Sequence, residues 1–314
     1  MHEFLAPAYR AYMERQVAAG GPTLASLTVE AARQLMRDMQ TADVSGYAVT
    51  AERHRVGDFA VEVLRPIGAT GPLPVVLYLH GGGWVLGDAQ THARMMREIV
   101  AQTRAAVVFV EYGCAPEFPF PVPLEHCYEA LEWVAAKGAS LGLEPSRIAV
   151  AGDSAGGNLA AALALLAKER KGPVIGLQAL LYPVTDCEFA TGSYDEFSTG
   201  SNLDRETMQW FWDRYVADEE ARKNPLASPL RATDEALQGL PAALVITAEC
   251  DVLRDEGEAY GRRLAEAGVA ATSMRFAGAL HGFMLIDELA SDPQAVGAMQ
   301  LFTAQLRQAL GTDG

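Results

Sequence analysis

Gly152-Asp153-Ser154-Ala155-Gly156 stands between an apolar run, Ile148 to Ala151, and a helix-forming run, Asn158 to Glu169. A strand that ends in G-x-S-x-G and turns at once into a helix holds the serine in strained backbone geometry. Only small residues two positions to either side let strand and helix approach. Gly152 and Gly156 fill those positions, with Asp153 supporting the motif between them. The helix then aims its first N–H groups at the serine oxygen, where negative charge develops during attack on a carbonyl. Ser154 is the candidate nucleophile. The pattern alone is weak, because an ordinary strand-to-helix turn can carry it, so the surrounding chain has to decide.

Outward from this stretch, the apolar runs are continuous: 75–79, 106–110, 148–151, 177–181 and 243–246. Helical stretches separate them at 93–102, 124–136 and 158–167. Strands without alternation, spaced by helices, are what a parallel sheet covered on both faces requires. The fold class expected is therefore α/β, a doubly wound and mostly parallel sheet. Ahead of it, 4–18 and 28–40 carry apolar residues at helical spacing, broken by Gly20-Gly21-Pro22. From 47 to 66 the period falls towards two, as in antiparallel edge strands.

With 314 residues, half of them hydrophobic, the chain can bury a large core in about two ordinary domains or in one large α/β domain with an insertion. A net charge of -15 and the lack of a basic stripe argue against nucleic acid as a partner. The four cysteines, Cys114, Cys127, Cys187 and Cys250, show neither metal-ligand nor disulfide spacing. No metal or organic cofactor is expected. The first residues lack a basic n-region and a long apolar h-region, and no run is long enough to span a membrane, so a cytoplasmic protein is expected. No residue pattern selects between monomer and homodimer, although the last strand and helix, 271–310, could pair with a copy.

His80-Gly81-Gly82-Gly83-Trp84 follows directly on the run 75–79. Three consecutive glycines are entropically costly, and at a strand end they free N–H groups to face an oxyanion. Gly82 and Gly83, with the N–H of Ala155, are candidate donors, and His80 and Gly81 support the loop. A nucleophilic serine needs a base, and six histidines are available. His2 is terminal, His54 sits among polar strand residues, and His92 and His126 lie on expected helices. His281 falls in a loop after the run 271–276, in the order expected after serine and acid, and is the candidate base. For the acid that orients it, Glu249, Asp251, Asp255 and Glu256 are all open by position.

Together these segments resemble the hormone-sensitive-lipase-like esterases, the bacterial family IV carboxylesterases of the α/β-hydrolase fold. The likeness extends through Tyr112, Ala115-Pro116-Glu117, Phe120-Pro121, Asp251 to Gly257 and His281-Gly282-Phe283. It implies Asp251 as the acid beside Ser154 and His281. It also implies a helical cap from residues 1–45 and the insertion 186–229, over a core of 46–185 and 230–314. The chain departs from the family pattern at Gly113-Cys114, where Arg-Leu is usual, at Val252 for Pro and at Leu280 for an aromatic; the first bears on the pocket entrance.

On this resemblance the expected partner is a small-molecule ester and the expected reaction is hydrolysis of short acyl chains. A pocket of Trp84, Leu203, Met208, Phe211, Leu280 and Phe283 is expected to receive it. An amidase of the same chemistry places more demand on leaving-group protonation, and no special donor is visible. A ligand receptor on a retired hydrolase scaffold, as in the plant gibberellin receptors, would lack the histidine that stands here at 281.

Overall fold

A computed structural model describes residues 3–313. In chain order it comprises α1 (Pro7–Ala19), α2 (Val29–Met39), β1 (Val49–Val56), β2 (Phe59–Pro66), β3 (Leu73–Leu79), α3 (Ala93–Thr103), β4 (Ala106–Glu111) and α4 (Val122–Lys137). There follow β5 (Leu143–Asp153), α5 (Ala155–Glu169), β6 (Leu177–Leu181), α6 (Gly192–Phe197), α7 (Arg205–Tyr215), α8 (Asp234–Leu237), β7 (Ala242–Cys250), α9 (Arg254–Glu266), β8 (Ala271–Leu280) and α10 (Pro293–Leu310).

The strands form one sheet in the order β1-β2-β4-β3-β5-β6-β7-β8. β2 pairs antiparallel with both of its neighbours, and from β4 to β8 every pairing is parallel. The continuous apolar runs become strands buried on both faces: Val75, Val76, Leu77 and Leu79 have no exposed surface. Each such side chain contributes roughly 1.5–3 kcal/mol relative to exposure. α3 and α10 cover one face, and α4, α5 and α9 the other. Thirteen residues of α5 are buried, which suits a run apolar on all sides that lies between the sheet and α4.

Chain order reverses at β3, which lies between β4 and β5. Loops leaving the carboxyl ends of strands on either side of such a switch open a crevice for ligands. In register, Leu79 sits opposite Gly152, so the His80 loop and Ser154 emerge side by side. β7 and β8 end together as well, with Cys250 opposite Leu280.

Both of these strands run further than apolar patterning indicates, to residues 250 and 280 rather than 246 and 276. Apart from Thr247, Thr247-Ala248-Glu249-Cys250 and Ala277-Gly278-Ala279-Leu280 lack the β-branched and aromatic residues that mark a strand. They pair through an irregularity at which the Gly278 N–H donates to Glu249 Oε2 at 2.6 Å. His281 therefore follows its strand directly instead of standing out in a loop. No helix among the described residues is long and apolar enough to cross a membrane.

Candidate active site

Ser154 stands between β5 and α5 with φ 55° and ψ −119°, a region disfavoured for a side chain. Neighbouring contacts hold it there: its N–H donates to Leu181 O at 2.8 Å, and its carbonyl accepts from Asn158 N and Val184 N. The flanking glycines leave the space this turn needs, since a Cβ on Gly156 would overlap Leu79 O and one on Gly152 would overlap Gly156 O.

From the far end of the sheet, His281 Nε2 lies 2.9 Å from Ser154 Oγ. Its Nδ1 lies 2.7 Å from Asp251 Oδ2. Asp251 is fully buried, and its other oxygen accepts from Leu253 N at 3.0 Å. Tyr182, just after β6, sets its ring edge-on against the imidazole at 5.0 Å, filling the gap between β5 and β8. The Asn202 side chain donates to His281 O at 3.0 Å.

The other acids go elsewhere. Glu249 takes the Gly278 amide, and Asp255 takes Ser193 N at 2.7 Å. Glu256 accepts from Thr185 N and Asp186 N, and burial pushes its carboxyl well above the usual range despite those bonds. Of the other histidines, His54 lies on β1, His92 precedes α3 and pairs with Asp153, His126 lies on α4, and His2 is outside the described residues. Burial, then the neighbouring His92, drives His80 down to about 4, so it is neutral near pH 7. It stacks on Tyr112 at 4.1 Å and donates from Nδ1 to Gly81 O at 2.9 Å.

Asp153 holds the glycine loop against the Ser154 turn: its Oδ1 accepts from Gly81 N at 2.9 Å and from Tyr78 OH at 2.8 Å. Burial would raise this carboxyl, but His92 and those hydrogen bonds outweigh it and keep the pKa below the ordinary value. Gly82 and Gly83 have φ of 109° and 61°, and neither amide donates to an acceptor among the described residues. Both line a 460 Å³ cavity that also contains Ser154 and His281.

Of the side chains expected to line that cavity, Leu203 and Phe211 do. Trp84, Met208, Leu280 and Phe283 do not. Trp84 stacks on Tyr215 at 4.2 Å and donates to Asn158 Oδ1, Phe283 packs among Tyr9, Tyr182 and Phe276, and Met208 and Leu280 are buried. These large groups fill the core behind the wall. The wall itself comes largely from Leu35, Met36 and Met39 of α2, with Tyr12 of α1 and Leu285 and Ile286 after the histidine. Apolar residues at helical spacing, Leu35, Met36 and Met39, were the available signal, and in the structure Leu35 and Met39 keep 38% and 43% of their surface open. The Gly113-Cys114 departure does not reach the cavity. Gly113 N donates to His126 Nδ1 at 3.0 Å, and Phe118 packs where a Cβ would stand.

Residues 76–285 match the family of the alpha/beta hydrolase fold. Carboxylesterase NlhH of Mycobacterium tuberculosis is 38% identical, over 82% of this chain and 82% of its own. Among solved structures, an esterase from Pseudomonas putida superposes with a TM-score of 0.95 at 42% identity, covering 99% of both chains. A fungal esterase from Rhizomucor miehei gives a TM-score of 0.90 at 36% identity, over 98% of both chains. A serine at the sheet's switch point, a histidine within hydrogen-bond reach and relatives of this extent lead to one assignment: the chain belongs to the hormone-sensitive-lipase-like α/β hydrolases and is a carboxylic ester hydrolase.

Proposed function

We propose that this carboxylesterase hydrolyses short-chain acyl esters in two steps through an acyl-enzyme on Ser154. The observation that carries the reading is the unbroken chain from Ser154 Oγ to His281 to Asp251 at the cavity, with contacts of 2.9 and 2.7 Å. His281 takes the serine proton as Oγ attacks the ester carbonyl, then gives it to the leaving alcohol. Water activated by the same imidazole then cleaves the acyl-enzyme. Asp251 holds the tautomer with Nδ1–H towards itself, leaving Nε2 free to accept. The amides of Gly82, Gly83 and Ala155 stabilise the oxyanion.

Residues 1–45 and 186–229 act as the two halves of a cap, since α1, α2 and the stretch from Asn202 to Phe211 share the cavity wall. A volume of 460 Å³ lies towards the lower end of the usual range for ligand sites and suits acyl chains of about two to eight carbons. The test is hydrolysis of 4-nitrophenyl esters from acetate to palmitate, with Ser154→Ala as the parallel blank. Serine-dependent turnover that peaks at acetate or butyrate is expected; a peak at palmitate, or turnover in the blank, overturns the proposal.

The glycine loop can be tested separately. A Cβ on Gly83 would overlap the Phe211 ring, so Gly83→Ala has to displace either the loop or α7. Losing one oxyanion donor costs about 100- to 1,000-fold in kcat. Gly83→Ala is expected to fall in that range, and a second change, Phe211→Ala, to restore part of the loss by giving the methyl room. Near wild-type kcat in the single variant removes this loop from the oxyanion assignment.

A further inference from the structure

The turn after His281 has no sheet or helix ladder to hold its carbonyl groups, and buried carbonyls need donors. Two side chains far away in sequence supply them. Arg94, in the first turn of α3 and only 8% exposed, donates from Nη2 to Met284 O at 2.8 Å and Leu285 O at 2.9 Å. Its Nε reaches Asp287 Oδ1 at 2.8 Å. Gln40, at the end of α2, donates to Leu285 O at 2.8 Å and accepts from Asp287 N at 3.1 Å. Ala42 N closes the arrangement on Asp287 Oδ2 at 2.8 Å. Glu98, one turn along α3, takes the remaining end of the guanidinium at 2.9 Å, so the arginine is fixed at three points.

We propose that Arg94 and Gln40 are positioning residues for His281: they clamp residues 284–287 from two sides of the chain and so fix the imidazole between Asp251 and Ser154. The proposal rests on the reading of His281 as the base. Chemistry of this kind tolerates little error, since misplacing a reacting group by about 1 Å costs on the order of 100-fold. The turn between His281 and the clamp is short, with Leu285 N and Ile286 N both bonded to Gly282 O, so slack at 284–287 passes directly to residue 281.

The clamp also changes the part played by α2. Arg33 ties that helix to Val85 O at 2.9 Å and Ala115 O at 3.1 Å, and Arg37 ties it to Asp88 at 2.6 Å. Gln40 then ties its end to the base's own turn. α2 is thus a wall that also places the base.

The experiment compares Gln40→Met, Arg94→Met and Arg94→Lys with wild type on 4-nitrophenyl butyrate, with kcat expressed per site titrated by a 4-nitrophenyl phosphonate. A drop in kcat of about 10- to 100-fold is expected for the two Met variants, with KM changed less than about 2-fold and Arg94→Lys in between. The low-field proton resonance of the His281 Nδ1–H should shift or broaden in step. Arg94→Met leaves Asp287 and Glu98 uncompensated; should it fail to fold, Gln40→Met decides, because it removes only neutral hydrogen bonds. Wild-type kcat per site with an unmoved resonance overturns the clamp, even with a lower Tm. So does a raised KM at unchanged kcat, which would make Gln40 a substrate contact. His281→Ala run alongside separates the two readings: if it stays active the base assignment fails, whereas if it is inactive and Gln40→Met behaves as wild type, only the clamp fails.

Discussion

His281→Ala is expected to lower kcat by about a million-fold, Ser154→Ala to do the same, and the double variant to fall no further. The lack of additivity is the informative part. In the proposed mechanism serine and histidine act in one proton transfer over the 2.9 Å between Nε2 and Oγ, so removing either would abolish the step. What remains in every case is the contribution of the oxyanion donors and of binding, which no longer depends on the missing group. The substitution is tolerable for the fold. His281 is 8% exposed, and loss of its imidazole leaves the buried Asp251 without one partner, at about 1–3 kcal/mol. The variant should therefore give a wild-type far-UV spectrum with a lower Tm, which separates lost chemistry from lost structure. A His281→Ala protein that keeps more than a few per cent of kcat rules out this base. A double variant far slower than either single one shows that the two residues do not act in the same step.

How far the sequence alone could be read follows from where each kind of information lies. The parallel core was legible because strands buried on both faces need apolar residues at every position, and Val75 to Leu79 or Ala106 to Val110 satisfy that without reference to the rest of the chain. The turn at Ser154 was legible because its geometry demands glycine at fixed spacing. The far ends of β7 and β8 were not: Glu249 and Gly278 are poor strand residues on their own and pair only because each meets the other.

Part of the cavity wall was not legible for a related reason. Phe211 lines it as expected, but Trp84 interlocks with Trp212 and Tyr215, and that contact keeps it in the core. α2 supplies aliphatic and thioether side chains instead. Arg94 and Gln40 could not be found from sequence, because their partners lie 190 and 245 positions away and offer backbone atoms, which have no residue identity to recognise.

Asp251→Asn should lower kcat about 10,000-fold, whereas Glu249→Gln should leave it roughly unchanged. The carboxylate of Asp251 has two jobs, one oxygen accepting from Leu253 N at 3.0 Å and the other facing His281 Nδ1 at 2.7 Å. An amide has a single acceptor oxygen. If that oxygen stays on the Leu253 amide, the new NH2 group faces Nδ1 and favours the tautomer with its proton on Nε2, pointed at Ser154 Oγ; the imidazole then cannot accept the serine proton. If the amide turns over, Leu253 N loses its acceptor in a fully buried place, at about 1–3 kcal/mol, which makes this the less populated arrangement. Glu249 behaves differently, because its one bond at this point is acceptance from Gly278 N, and a glutamine oxygen serves as well. Both variants keep the shape of the side chain, so equal far-UV spectra are expected, and the comparison reads orientation of the base alone. The opposite ranking, with Glu249→Gln the damaged enzyme, would move the acid to the β7–β8 irregularity and require Asp251 to be structural.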